Sequence, residues 1–143
     1  MNSKDFISIM EEAKNYEKPI LIHAYSEGDI MAFKEIANRF PELIFIMAHM
    51  GGTDRSGTGK NWKTAISVAR DLSNIYLETC MTILERDKIE EAVSEVGADR
   101  IVFGSDLTLI NPAHILGMIL DAEISNLDKE KILYRNAKRI FKL

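Results

Sequence analysis

Cysteine is almost absent from this chain of 143 residues, since Cys80 is the only one. A single thiol cannot form an internal disulfide, so the sequence fits a reducing compartment, and a buried thiol is a simpler interpretation of Cys80 than a nucleophile. The N-terminus lacks the apolar core of a signal peptide, and no apolar run approaches the roughly 20 residues that cross a bilayer. We therefore expect a cytoplasmic protein without a membrane partner.

An excess of basic residues is also lacking, because 18 Lys and Arg stand against 22 Asp and Glu and give a net charge of −4. This balance provides no general attraction to nucleic acid, which we exclude as an expected partner. No low-complexity linker interrupts the chain, and 46% hydrophobic residues are enough for a real core. We expect residues 1–143 to form a single domain.

The informative pattern is a set of short apolar runs that end on polar residues. Residues 43–52, LIFIMAHMGG, have the pattern of a buried parallel strand that delivers His49 into a turn as its exposed tip. Residues 19–23, PILIH, end on His23, and residues 100–106, RIVFGSD, end on Asp106. If these strands are parallel neighbours, their polar ends meet at one edge, where α/β sheets and barrels carry their chemistry.

Helical patterns separate the predicted strands. Asn2 or Ser3 can cap a first helix, Asp29 is a suitable N-cap for the second, and Asn111 with Pro112 opens a later one. Strands begin near residues 19, 43, 75 and 100, which gives the order α-βα-βα-βα-βα-α. Four such units fit either an open doubly wound sheet or half of an eight-stranded barrel, because a complete barrel takes roughly 200 residues or more.

The polar groups at the predicted edge allow several kinds of chemistry. A histidine at a strand end can be a metal ligand, a general acid or base, or a hydrogen-bonded core residue. Together, His23, His49 and Asp106 are the ligand types that a divalent metal hydrolase uses. Asp106 could instead cap the following turn, and Glu78 could line the pocket or be an ordinary acid at a strand end. His114, in the first turn of a helix, is expected to be solvated and outside the site.

The loop at residues 51–60, GGTDRSGTGK, ends on Gly59-Lys60 and joins a strand to a helix. A phosphate-binding P-loop needs a glycine five residues before Gly59 and a Ser or Thr after Lys60. Those positions hold Asp54 and Asn61, so the pattern fails at both. Arg55 and Lys60 could still contact an anionic substrate, although charged loop residues are usually only solvated. We interpret the segment as a mobile loop.

Four stretches, PILIHA, IMAHMGG, RIVFGSD and ILYRNAKRIF, carry a family likeness in this order and spacing. The chain resembles the C-terminal half of the amidohydrolase superfamily, in particular the amidohydrolase-2 branch of metal-dependent hydrolases and decarboxylases. The likeness extends from about Pro19 to Phe141. It implies an α/β fold, namely a parallel (βα)4 half of a TIM-type (β/α)8 barrel with an extra N-terminal and an extra C-terminal helix.

The resemblance also implies roles for individual residues. His23 would end the fifth barrel strand as a metal ligand, and His49 would end the sixth and polarise the substrate or help activate water. Asp106 would end the eighth strand, bind the metal and take the proton of the nucleophilic water, whereas Asn136 would be structural. The implied cofactor is a divalent metal, with zinc favoured and manganese or iron also compatible with these ligands. The implied reaction is hydrolysis, or a related decarboxylation, of a small organic acid, amide or lactone through a metal-activated water.

One feature of such enzymes is missing, because the sequence contains no His-x-His. His23 and Asp106 alone supply two protein ligands, whereas a catalytic zinc normally has at least three. The chain could therefore be a fragment that lacks an N-terminal half, a half-barrel that pairs with a second copy, or a degenerate half-barrel that binds or assembles without catalysis. Exposed sheet edges and an uncovered barrel interior favour a homo-oligomer, with a homodimer as the simplest form.

Overall fold

A four-stranded parallel sheet forms the centre of the molecule in the computed structural model, which describes residues 3–52, 61–80 and 86–143. The strands lie side by side in the order of the chain, and Phe45 of the second pairs with Ile20 of the first and Ile75 of the third. Their bounds are β1 Ile20–Ile22, β2 Phe45–Met47, β3 Ile75–Glu78 and β4 Ile101–Val102.

Helices precede, connect and follow the strands. They are α1 Lys4–Ala13, α2 Glu27–Arg39, α3 Asn61–Asp71, α4 Lys88–Val96, α5 Pro112–Asp121, α6 Asn126–Glu130 and α7 Asn136–Phe141. Short 3₁₀ turns cover Lys14–Tyr16, Ala48–Gly51 and Ala98–Arg100, and a π-helical turn, Lys131–Arg135, joins α6 to α7. In the described ranges, none of these helices has both the length and the apolar character needed to cross a membrane.

The strand order decides between the two architectures that the sequence left open. In a doubly wound sheet the order reverses at a switch point. Here each strand pairs with the one before it, as in a barrel, where every strand is followed by a helix and lies next to its predecessor. The chain is therefore an α/β protein made of four parallel βα units of a TIM-type barrel, with α1 added in front and further helices at the C-terminal end.

The two faces of the sheet are unequally covered. Residues such as Phe45, Leu77 and Ile101 point into the large core shared with the helices. On the opposite face, which would line the interior of a closed barrel, a small cluster contains the buried residues Ile46, Tyr76, Val102 and Ile140. Leu21 on the same face is 53% exposed. The barrel-facing side is thus apolar and, at β1, open.

Helix caps follow the sequence signals with one correction. Asn111 and Ser125 cap α5 and α6, and Ser3 caps α1. The prediction that Asp29 caps α2 is wrong, because the N-cap is Ser26 and Asp29 is the third helical residue of a capping box. The Asp29 carboxylate accepts hydrogen bonds from Ser26, and the Ser26 hydroxyl accepts one from the Asp29 N–H, so each satisfies a polar group of the other.

The C-terminal helices are fastened to β4 by polar contacts with its backbone. The side-chain amide of Asn136, which is buried, donates to the carbonyls of Ala98 and Ile101, both at 2.7 Å. Within the π-helical turn, the carbonyl of Ile132 accepts the Phe103 N–H at 2.9 Å. These contacts position the segment that leads from β4 to Asp106.

Candidate active site

A cleft of about 280 Å³ lies at the carboxyl edge of the sheet, where all four strands end. Its walls include the three residues that the sequence singled out, His23, His49 and Asp106, together with Glu78 and Cys80. His23 and Asp106 are exposed, whereas His49 is 9% exposed, so the expectation of an exposed tip at His49 is wrong. The site has an open side formed by His23 and Asp106 and a buried wall behind it.

The two histidines are in direct contact across neighbouring strands. Nδ1 of His23 lies 2.8 Å from Nε2 of His49, a distance at which one ring N–H donates to the nitrogen of the other ring. The other nitrogen of His49, Nδ1, is buried and has no hydrogen-bond partner among the described residues. The two imidazoles are therefore held in a fixed geometry through Nδ1 of His23 and Nε2 of His49.

His49 reaches the cleft through an unusual backbone turn. Side chains of a strand alternate between its faces, and Met47 packs in the helix-side core, so regular alternation would place His49 on that side too. After Met47, however, His49 and Met50 adopt left-handed conformations with φ of 46° and 49°. This geometry costs a residue other than glycine roughly 1–2 kcal/mol. It redirects the imidazole toward His23 and requires compensating contacts.

Glu78, the last residue of β3, provides one such contact. Its Oε2 accepts the His49 N–H at 2.8 Å, and its Oε1 accepts the Cys80 N–H at 3.0 Å. Burial raises the pKa of Glu78, and the charge of Asp106 adds to the increase, while the two N–H donors oppose it. The carboxylate is thus a buried acceptor between β2 and β3.

Tyr25 covers the histidine pair from the start of the next loop. Its hydroxyl is 3.0 Å from Nδ1 of His23, and its ring centroid lies 4.5 Å from that of His49 and 5.4 Å from that of His23. The Tyr25 backbone is held on both sides, because its N–H donates to Asp29 and its carbonyl accepts from the side chain of Asn61. Tyr25 is 53% exposed, so its ring can also contact a bound molecule.

Asp106 follows β4 and also has a left-handed backbone, with φ of 54°. The turn after it is closed by its main-chain carbonyl, which accepts the N–H groups of Leu109 and Ile110, so this turn does not depend on the carboxylate as a cap. Burial, reinforced by the charges of Glu78 and Asp106, raises the pKa of the Cys80 thiol to about 12. Cys80 therefore stays protonated, as expected of an unreactive buried thiol.

Burial lowers the pKa of His49 from 6.5 to about 4, with His23 and Lys88 adding to the decrease and Asp106 opposing it. The unfolded chain therefore binds this proton near pH 6.5 and the folded chain only near pH 4. The resulting stabilisation of the folded chain is complete above pH 6.5 and is lost as the pH falls toward 4. A pKa decrease of this size changes the free energy of unfolding by roughly 3 kcal/mol across this pH range.

We expect wild-type protein to lose roughly 3 kcal/mol more of its free energy of unfolding than His49→Phe between pH 7 and pH 4, because phenylalanine cannot bind the proton. Urea unfolding of both proteins at the two pH values measures the difference. Equal losses in the two proteins would contradict the assignment of a neutral, buried His49.

Glu78 was expected to line the pocket or to be an ordinary acid at a strand end, and it does line the cleft, whereas Tyr25 and Lys88 were given no role. Tyr25 stands two residues after His23, so the alternation of a strand already places both on one side. Lys88 is 1% exposed. The sequence indicated this burial, because Lys88 occupies an apolar position of α4, four residues before Ala92. Glu78 follows Tyr76 with the same spacing of two, which indicates the barrel-facing side of β3. His114 is exposed and lies outside the cleft-lining set.

Part of the loop that joins β2 to α3 cannot be compared with its prediction. Residues 53–60, which include Arg55 and Lys60, lie outside the described residues. The loop prediction for that stretch and a contact of Arg55 or Lys60 with an anionic substrate therefore stay predictions.

The donor groups can be tested against the metal that the sequence suggested. His23 and Asp106 present an imidazole and a carboxylate on the open side of the cleft, and both are ligand types for zinc or manganese. Within residues 3–52, 61–80 and 86–143, however, no group of three or more His, Cys, Asp and Glu side chains could hold a metal ion. The donor types fit a divalent metal, but these two side chains do not complete a metal site.

Comparison with known proteins defines the family. The model of the amidohydrolase family, amidohydrolase-2, matches residues 2–143. This chain belongs to that family. Among curated proteins, it is similar to the gamma-resorcylate decarboxylase of Polaromonas sp., with 37% identity over 70 residues that cover 49% of this chain and 21% of the relative.

Solved structures agree on the fold. A TIM-barrel protein from Bordetella bronchiseptica matches with a TM-score of 0.79 and 18% identity over 99% of this chain and 51% of that protein. A zinc-bound amidohydrolase from Burkholderia multivorans matches with a TM-score of 0.81 and 12% identity, over 99% and 58%. A dihydroxybenzoic acid decarboxylase from Polaromonas sp., solved with manganese and the inhibitor 2-nitroresorcinol, matches with a TM-score of 0.60 and 24% identity, over 82% and 40%. The chain spans between 40% and 58% of the length of these three proteins.

Proposed function

We propose that this chain forms one half of the active site of a metal-dependent decarboxylase or hydrolase that acts on a small organic acid. Decarboxylation of a hydroxylated aromatic acid is the favoured reaction, because the gamma-resorcylate decarboxylase shares 37% of residues over the aligned 70. The observation that carries the proposal is the meeting of His23 and His49 at 2.8 Å in a cleft that Asp106 also lines. In an amidohydrolase fold, that edge is where the catalytic groups collect.

Decarboxylation replaces a carboxylate by a proton, so a site for it must hold the acid and deliver a proton to the carbon that loses CO₂. Asp106 is the proposed proton carrier, because its carboxylate stands exposed in the cleft. As the carbon–carbon bond breaks, its electron pair stays with that carbon, which receives the proton, and CO₂ leaves. For hydrolysis of an amide or lactone, the same carboxylate would take a proton from water.

His49 is the proposed polarising residue. Its low pKa keeps the imidazole neutral near pH 7, so its Nε2 would donate one hydrogen bond to an oxygen of the substrate, in place of the contact with His23, without adding a full charge. Tyr25 adds an exposed aromatic ring next to both imidazoles, and such a ring suits a planar substrate. Together these residues would orient a small aromatic acid at the mouth of the cleft.

The proposed metal ligands are His23 and Asp106. A bound divalent ion would supply positive charge to stabilise negative charge that develops on the substrate. The remaining ligands would come from outside the described part of this chain, either from a further half of the barrel or from a second copy in a homo-oligomer. The barrel-facing side supports such a complement, because the apolar side chain of Leu21 is half-exposed there, beside a buried apolar cluster.

A second candidate is a non-catalytic module that binds or assembles through the same face. The missing third ligand favours it, since the described residues contain no complete metal-binding group. The two candidates differ in their response to substitution. If the chain is a non-catalytic module, His49→Ala and Asp106→Ala would change only stability or association, whereas a catalytic half would lose metal binding or turnover.

Metal binding offers the first test, since it can be measured on the chain as it is. We expect His23→Ala to weaken binding of Zn²⁺ or Mn²⁺ at least about tenfold, because it removes one of two proposed ligands. His114→Ala removes an exposed histidine outside the cleft and serves as the matched control, with unchanged affinity expected. Isothermal titration calorimetry with each metal measures the effect. Equal affinities for wild type and His23→Ala would rule out His23 as a ligand.

A further inference from the structure

The Glu78 side chain connects the ends of three neighbouring strands. It is 7% exposed, and its two carboxylate oxygens accept separate backbone N–H groups, one from His49 after β2 and one from Cys80 after β3. Each oxygen thus has a defined structural partner, so the side chain is held in one orientation. Both donors are backbone N–H groups, and neither is a side chain proposed to contact a substrate.

The third strand end is that of β4, where Gly104 leaves room for the Glu78 side chain. A Cβ atom at position 104 would stand 1.4 Å from Oε1 and 2.3 Å from Cδ of Glu78, which is impossible without displacing the carboxylate. Gly104 lies two residues before Asp106 in the same segment. Position 104 therefore requires a residue without a Cβ atom, because the Glu78 carboxylate occupies the space where that atom would lie.

The contact with His49 has a particular importance because of the backbone at that residue. His49 and Met50 are left-handed, and only this turn brings the imidazole to His23 instead of to the helix side of the sheet. An acceptor for the His49 N–H at 2.8 Å favours the turn over a regular strand continuation.

We propose that Glu78 is a positioning residue of the active site, which holds the His49 imidazole against His23 through the His49 backbone and supports the Gly104–Asp106 segment by filling the space beside Gly104. The inference rests on the proposed function for the roles of His49 and Asp106. The placement of the two imidazoles by Glu78 is a separate property and can be measured without any reaction.

Two variants disturb this arrangement in different ways. Glu78→Gln keeps the size of the side chain but offers a single acceptor oxygen, so either the His49 N–H or the Cys80 N–H loses its partner. Gly104→Ala keeps the carboxylate but occupies its place. The control is Asn74→Ala, which destabilises the chain at the amino-terminal end of β3, opposite the cleft, by removing the bonds to the carbonyls of Ala37, Phe40 and Leu43.

Two measurements are made on each variant and on the wild type: the imidazole resonances of His23 and His49 by NMR, and the affinity for Zn²⁺ alone by calorimetry. We expect Glu78→Gln and Gly104→Ala to shift the resonances of both imidazoles and to weaken Zn²⁺ binding about 10- to 100-fold. Asn74→Ala should leave both unchanged at comparable or lower stability. If Gly104→Ala does not fold, the isosteric Glu78→Gln decides.

Unchanged imidazole resonances in Glu78→Gln would overturn the inference, even if its stability falls, because the role of Glu78 would then be only structural. Shifts of the same size in Asn74→Ala would overturn it as well, since any loss of stability would then suffice. Absence of Zn²⁺ binding in the wild type would count against the proposed function, while the resonances would still decide the role of Glu78.

Discussion

Asp106→Asn is expected to reduce turnover about 10²- to 10⁴-fold, the range over which a positioned general acid or base contributes to catalysis. Asparagine has nearly the same shape but cannot carry a proton between substrate and solvent, and its amide is a poorer metal ligand than a carboxylate. The loss should therefore appear in kcat as well as in metal affinity.

The measurement is CO₂ release from 2,6-dihydroxybenzoate, with a panel of small amides and lactones to test hydrolysis. It is made with Zn²⁺ or Mn²⁺ on the chain alone and on a form extended by a complementary N-terminal half-barrel. Asp121→Asn, the same substitution at an exposed position of α5, is the matched control and should retain wild-type activity. If Asp106→Asn is as active as the control, Asp106 is not the proton carrier. If the extended form is inert and free of metal, the enzyme hypothesis fails.

Asn136→Ala is expected to lower the free energy of unfolding by roughly 2–4 kcal/mol. The substitution removes two hydrogen bonds of 2.7 Å and leaves the carbonyls of Ala98 and Ile101 without this donor. An unsatisfied buried polar group costs about 1–3 kcal/mol, and here the loss falls on the start of β4.

Urea unfolding at pH 7 measures this effect. Lys138→Ala, an exposed position on the same helix, provides the control and should change stability by less than about 0.5 kcal/mol. A loss of similar size in both variants would show that the helix, and not the Asn136 amide, determines the stability of this region.

Most of the fold could be predicted from the sequence because apolar runs and caps are local signals. The strands around Ile20, Phe45, Ile75 and Ile101 and the cap at Asn111 all lie where their residue patterns indicated. The choice between a doubly wound sheet and a half-barrel could not be made from residue patterns alone. Strand order depends on contacts between distant segments, and only the family likeness pointed to the barrel.

The candidate site could be predicted in part for the same reason. His23, His49 and Asp106 end apolar runs, which is a local feature, and they do line one cleft. The burial of His49 was missed, because the prediction took the end of a strand to be exposed, whereas a left-handed turn brings the ring against His23. The capping role of Ser26 was missed because Asp29 also has a suitable side chain, and the choice between them depends on reciprocal hydrogen bonds. The roles of His23, His49 and Asp106 in metal binding and catalysis remain predictions.

The hydrogen bond from Phe103 to Ile132, together with the Asn136 bonds, has a consequence for biosynthesis. During translation, Asp106 leaves the ribosome well before residues 132 and 136, so the segment that carries it forms these hydrogen bonds only once those two residues have emerged. Nascent chains that stop short of Asn136 would contain both histidines, but the segment that carries Asp106 would lack the hydrogen bonds that position it. The cleft is thus completed only after residues 132 and 136 have left the ribosome.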